Sequence, residues 1–209
     1  YKRQLYEAES ELGGLMRTGI PAYRLPRDVL DREIDRILKL GIQAVTNCRV
    51  DSPKLEALTK AFDAVLIATG LQKPIALDLG ANAGSVMQGI EFLDRLRKKD
   101  LTVEDEEILV VGGGNTAIDA ARSAFRLGAR RVRIVYRRTR EEMPAIDEEV
   151  DEAIDEGVEI EFLTSPVKIT PSGNRNLLVC RRMKLGEPDA SGRRRPIEVP
   201  GSDFSIPCD

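Results

Sequence analysis

The run Ile108-Leu-Val-Val-Gly-Gly-Gly-Asn-Thr-Ala-Ile-Asp119 constrains this chain more than any other segment. An apolar stretch breaks into glycines and then into a helical pattern, which predicts a strand, a tight turn and a helix N-terminus. Gly112 permits the turn, Gly114 lets a ligand approach the backbone, and small Ala117 stands where helix must pack on strand. Gly113, Asn115 and Thr116 complete the bend and the first helical turn, whose N–H groups find no acceptor inside the helix. With the positive end of the helix dipole, these donors predict a pyrophosphate site of the dinucleotide-binding kind. A second strand, Val132-Arg-Ile-Val-Tyr136, follows as that reading requires. A mere tight turn in an α/β fold is the plainer alternative.

The end of that second strand, roughly twenty residues on, decides the nucleotide, because a carboxylate there binds a ribose 2′-hydroxyl and arginine suits a 2′-phosphate. No carboxylate occupies the position, and Arg137, Arg138 and Arg140 follow instead. Guanidinium is shaped for phosphate oxygens, so the expected cofactor is NADP(H) rather than NAD(H). The competing reading is a solvated basic rim, to which Arg130, Arg131 and Arg133 would contribute.

Composition sets the frame for that unit. The chain has 209 residues, 42% of them hydrophobic, and a net charge of -3, as expected for an α/β protein able to bury its own core. Mild acidity argues against nucleic acid as a partner. Cys48, Cys180 and Cys208 stand alone, so neither a metal site nor a disulfide framework is encoded, and a cytoplasmic setting is the simplest expectation. No apolar run is long enough for a membrane span. The chain has no histidine, which removes Ser–His and Cys–His catalysis, and no P-loop string; no catalytic residue is assigned.

Along the chain the pattern alternates. Helices are expected from Asp28 to Leu40 and from Gln88 to Lys99, and a short one after Asp51 with Ser52 as N-cap and Pro53 first in the helix. A further helix should bury Ile146, Val150, Ala153 and Ile154, leaving Asp147, Glu148, Glu149, Asp151 and Glu152 as solvated charges. Ala64 to Gly70 reads as a buried parallel strand, and residues 71–85 as a crossing between lobes. From Val158 onward, short strands broken at Pro166, Pro171 and Gly186 suggest an antiparallel addition, with Arg193 to Arg195 in an exposed loop. The chain opens on what looks like a strand tail closing in Glu7 and stops without a capping element, so it reads as a segment of something longer. The expected fold is a Rossmann-like α/β lobe, a parallel sheet with an antiparallel addition, plus a truncated second nucleotide-binding lobe.

Taken together, Tyr6-Glu7, Leu12-Gly-Gly-Leu15, Gly19-Ile-Pro-Ala-Tyr-Arg-Leu-Pro26, Phe62-Asp-Ala-Val-Leu-Ile-Ala-Thr-Gly70, Gly112-Gly-Gly-Asn-Thr-Ala117, Tyr136-Arg-Arg138 and Glu141-Glu-Met-Pro144 resemble the glutamate synthase small-subunit family. The resemblance implies a flavin lobe interrupted by an inserted NADPH lobe. It places residues 1–79 in a partial FAD lobe and 80–202 in the NADPH lobe, with 203–209 starting a return to the first. It also implies hydride passing from NADPH to FAD, then electrons leaving for an iron–sulfur domain or subunit, and in some members a large amidotransferase-type subunit. By position, Glu7 would hold the FAD ribose, Gly14 and Leu15 would pass close to the flavin, Arg24 would line it, and Val50 would meet the adenine. Ala68, Thr69 and Gly70 would pass close to the FAD. Asp119 falls on the NADPH side of the pattern as a packing or capping residue.

The first glycine fingerprint of the flavin lobe and the segment that covers the flavin are both absent from this sequence. The segment alone is therefore expected to hold FAD weakly or not at all and to be inactive. A dinucleotide-binding module without turnover, serving regulation or docking, is the alternative from another class. A one-lobe dehydrogenase acting on a carbonyl is a third, disfavoured by the lack of a proton donor near the bend.

Overall fold

The computed structural model describes residues 2–71, 77, 79–80, 86–190 and 192–209. Its contacts divide into two compact units, Tyr1–Pro74 and Ile75–Asp209. The expected crossing over residues 71–85 lies mostly outside the described residues, but Leu79, 3% exposed, belongs to the core of the second unit.

In the first unit β1 (Arg3–Tyr6) pairs in parallel with β2 (Ile42–Val45), joined through α1 (Gly14–Thr18) and α2 (Arg27–Leu38). Among the described residues, Leu30 on α2 is the apolar side chain this small β–α–β arrangement buries. α3 (Ser52–Ala61) follows. Asp51, not Ser52, caps it: the Asp51 carboxylate accepts from the Lys54 amide at 3.0 Å, which puts Ser52 first in the helix and Pro53 second. The strand expected at Ala64–Gly70 is not formed. Backbone becomes strand only where a neighbour takes its N–H and C=O groups, and among the described residues none does so here; Leu66 is 89% and Ile67 65% exposed.

The second unit is layered. β3 (Glu107–Val111), β4 (Arg131–Val135) and β5 (Glu159–Glu161) form a parallel sheet in chain order. α4 (Gly89–Lys98), α5 (Asn115–Arg126) and α6 (Asp147–Asp155) supply the helices. Strand side chains alternate between faces. Ile108, Val110, Val132, Ile134 and Ile160 join Ile118, Ala121, Ala124, Val150 and Ala153 of the helices. Leu109 and Val135 point the other way, into a second cluster with Ile169, Leu178, Cys180 and Ile206. That second cluster comes from an antiparallel sheet of β6 (Thr164–Ser172), β7 (Arg175–Pro188) and β8 (Arg194–Cys208).

The antiparallel strands are longer than their prolines and glycines suggest. Pro166 and Pro171 lie within β6, an edge strand where a missing N–H costs little, and the register shifts between Pro166 and Lys168. Gly186 lies inside β7, and Arg194 and Arg195 belong to β8 rather than to a loop. Residues 203–208, expected to begin a return to the first lobe, pair with 176–181 and carry β8 to its end, burying Ile206 and Cys208. Ile146 and Ile154 stay about half exposed, because α6 presents only Val150 and Ala153 to the core. Burial pushes the Cys180 thiol up to about 12 and raises that of Cys208, so both behave as packing groups.

Candidate functional site

The strand–turn–helix unit forms as its residues dictate. β3 ends at Val111, Gly112 turns at φ 138°, and Gly114 caps α5. A Cβ on Gly112 would stand 3.4 Å from Cβ of Ala117, so two small residues let helix and strand close up. Gly113 has a reason invisible in the sequence: its missing Cβ leaves room for the ring of Tyr136, which would lie 2.5 Å away. At Gly114 the nearest atom would be Pro144 Cγ at 3.9 Å, which leaves the backbone open to a ligand.

The amides at this bend are available. Gly112 N–H donates to the Val135 carbonyl at 3.1 Å, and the Ala117 and Ile118 amides turn back to Gly114 O. No hydrogen bond among the described residues takes the N–H groups of Gly113, Gly114, Asn115 or Thr116. They converge at the positive end of a twelve-residue helix, at the carboxyl end of a parallel sheet, where an anion is stabilised. The Asn115 side chain has another duty: its Oδ1 accepts from the Ile146 amide at 2.9 Å. Asp119 is 3% exposed, within α5.

The segment following Tyr136 reaches the same edge of the sheet, since Val111 is in register with Val135 and the Tyr136 ring covers Gly113. Its arginines do not act as one fork. Arg138 is 4% exposed; it donates from Nε to the Arg194 carbonyl and from NH2 to Asp189, each at 2.7 Å. Arg140 pairs with Asp147 at 2.8 Å and Asp151 at 2.9 Å. Two carboxylates expected to be merely solvated therefore neutralise an arginine expected to bind phosphate. Arg137 alone of the trio is exposed and has no ion-pair partner among the described residues. The basic rim is also committed: Arg131 and Arg133 pair with Glu159, and Arg130 with Glu107.

Tyr136, Thr139, Glu142 and Ala145 build the floor of this site. Tyr136 Oη donates to the Glu142 carbonyl at 2.6 Å, and the Ala145 amide donates to the Gly113 carbonyl at 3.2 Å, so the segment Arg140 to Ala145 folds back under the bend. Thr139 and Glu142 cap the short 3-10 turn Arg140–Glu142 reciprocally. Burial alone would raise the Glu142 carboxyl, but bonds from Thr139 and Arg194 more than offset it and hold it below the ordinary carboxylate value. The sequence signal of this floor is the Glu141-Glu-Met-Pro144 string.

In the first unit, Glu7 follows β1, and its Oε1 accepts from the Glu9 amide at 2.9 Å. With Leu5, Leu12, Gly13 and Ile34 it lines a shallow depression of about 130 Å³. Gly14, at φ 50°, and Leu15 open α1 beside it. Arg17, 8% exposed and unforeseen, holds this loop by donating to the Leu12 carbonyl at 2.5 Å while pairing with Asp31. Arg24 is half-buried, Val50 is partly exposed just before α3, and Ala68, Thr69 and Gly70 are exposed and unpaired by any strand. The structure thus brings Glu7 to the loop before α1 and leaves 68–70 outside any sheet. Among the described residues no cluster of ligating side chains could hold a metal ion, and no helix is long and apolar enough to cross a membrane.

Comparison with known proteins identifies the family and the fold. The family model described as pyridine nucleotide-disulphide oxidoreductase matches residues 16–191. The chain is 45% identical, over its whole length, to the NADP(+)-dependent formate dehydrogenase subunit beta of Moorella thermoacetica, of which it spans 30%. It is 33% identical to the glutamate synthase [NADPH] small chain of Escherichia coli strain K12, covering all of this chain and 47% of that one. In fold it is similar to FprA of Mycobacterium tuberculosis, solved in complex with NADPH: TM-score 0.82 at 17% identity, over 99% of this chain and 62% of the other. The chain therefore spans less than half the length of both curated relatives.

Proposed function

The chain belongs to the pyridine nucleotide-disulphide oxidoreductase family, and on that premise we propose that its second unit binds NADP(H) for an oxidoreductase whose first unit contributes to an FAD site. One observation carries the reading: at the N-terminus of α5, amides that no acceptor among the described residues claims lie at the same sheet edge as Arg137, which no carboxylate among those residues pairs. The amides of Gly113 to Thr116 would take the pyrophosphate, Gly114 would let it approach, and Arg137 would meet the 2′-phosphate. Arg138 and Arg140, already paired, would contribute less.

On the flavin side, Glu7 would hold the ribose hydroxyls of FAD; among the described residues only its Oε1 is hydrogen-bonded, by the Glu9 amide. Gly14, Leu15, Arg24, Val50 and Ala68 to Gly70 would complete that surface in the intact protein. The bound cofactors supply hydride transfer between nicotinamide and flavin, and the chain's own residues bind, orient and exclude water. The relatives support this class: an NADP(+)-dependent formate dehydrogenase subunit and an NADPH glutamate synthase small chain. An iron–sulfur domain or subunit would receive the electrons, with an amidotransferase-type large subunit as a further partner where glutamate is the product.

Titration of the intact protein with NADPH and NADH tests the site. Arg137→Ala should cost about 1–3 kcal/mol of NADPH affinity, roughly ten- to a hundredfold, and leave NADH unchanged. Equal weakening of both nucleotides would refute it.

A further inference from the structure

We propose that Arg138 and Asp189 form a positioning pair that presents Arg137 to the 2′-phosphate, so that the β7–β8 hairpin takes part in choosing the phosphorylated nucleotide. This rests on the reading of the arginine turn given above. Asp189 is more than fifty positions from the turn in sequence, and no local pattern connects the two.

The turn after β4 is gripped from two directions. From inside the unit, Tyr136 is 6% exposed and its hydroxyl is tied to the Glu142 carbonyl. From the hairpin, the buried Arg138 guanidinium is held on one side by the Arg194 carbonyl and on another by the Asp189 carboxylate. The hairpin is itself closed by Asp189 N–H to Arg193 O at 2.8 Å and Gly192 N–H to Asp189 O at 2.9 Å. Arg194 then reaches back to Glu142 at 2.5 Å and to Glu141 at 2.8 Å, so each element pins the other.

Arg137 stands between two anchored neighbours, Tyr136 and Arg138, and is exposed. Its backbone is fixed before any ligand arrives, leaving only side-chain freedom to be lost on binding, which is how preorganisation raises affinity. Arg138 is nearly enclosed and already bonded through Nε and NH2, so its contribution passes through the placing of Arg137.

Two ligands that differ by one phosphate separate the roles. The intact protein is titrated with 2′,5′-ADP and with 5′-AMP, and the ratio of their affinities reads the 2′-phosphate alone. Asp189→Asn keeps the shape and removes the charge; it should lower that ratio about three- to tenfold with 5′-AMP binding unchanged. In an Arg137→Ala background the same change should have no further effect. Arg138→Lys, which keeps the charge and loses the fork, should follow Asp189→Asn, and it carries the test if the latter does not fold.

Tighter 2′,5′-ADP binding by Asp189→Asn would overturn the proposal, because Asp189 would then compete with phosphate for Arg138. Equal loss for both ligands would also overturn it, reducing the pair to a brace. So would independent, multiplying effects of Arg137→Ala and Asp189→Asn. An unchanged ratio in Arg137→Ala alone would instead remove the underlying 2′-phosphate site.

Discussion

Arg122 and Arg137 belong to the same unit and carry the same charge, yet their surroundings differ in kind. Arg122, on α5, is 3% exposed and meets Glu149, Glu152 and Glu156 of the α6 region at 2.6–2.7 Å. Arg126 adds a second cation against Glu156. Arg137 is exposed, and no carboxylate answers it among the described residues. A guanidinium that is already neutralised holds helices together; one left open is available to an external anion. Helix α5 shows the contrast at its two ends, since no acceptor among the described residues claims its first amides while its later turns are locked to the α6 region.

If this division holds, damage at the two places should look different. Removing Arg122 leaves carboxylates partly buried without their partner, so Arg122→Ala should destabilise the intact protein by about 3 kcal/mol in urea unfolding. The ratio of NADPH to NADH affinity in the folded fraction should not move; a changed ratio would blur the line between scaffold and site.

At the bend, Gly113→Ala places a methyl against the Tyr136 ring, within the 2.5–2.9 Å that its missing Cβ now spares. Overpacking of this sort should cost about 1–3 kcal/mol in thermal or urea unfolding and weaken both nucleotides together. Adding Tyr136→Ala to that variant should recover part of the nucleotide affinity, and no recovery would argue that Gly113 is needed for some other reason.

Acid should undo the Arg122 side first. The Glu156 carboxyl is held at about 2, against an ordinary 4.5, by hydrogen bonds from Arg126 and Arg122 that outweigh burial. Because its folded value is depressed, its contribution is complete above about pH 4.5 and disappears as pH falls towards 2. Glu156→Gln should therefore lose stability near neutrality and show a flatter decline across that window in pH-dependent unfolding. An unaltered slope would mean that the ion pair is not formed in solution.

The smallest effect is expected at Arg140. Its partners Asp147 and Asp151 are largely exposed, so Arg140→Ala should change stability by roughly 0.2–1 kcal/mol. NADPH affinity should change far less than in Arg137→Ala. A loss as large as that of Arg137→Ala would restore the arginine trio as one fork.

The glycine bend was legible in the sequence because every requirement on it is local: backbone freedom at Gly112, an open approach at Gly114, a small residue at Ala117, and helix amides without acceptors. The parallel sheet of the second unit was legible in outline from the apolar run Ile108 to Val111 and the second strand Val132 to Tyr136, whereas which side chains face which layer was not. The segment Ala64 to Gly70 has the composition of a strand yet forms none, because strand formation depends on a neighbour, which composition does not report. Only the tertiary structure decided which arginine stays open, since Arg138 meets Asp189 across 51 positions and Arg140 meets residues on α6. Charge pairing is settled by distance in space. A sequence shows which cations are present, and the fold determines which of them are already neutralised.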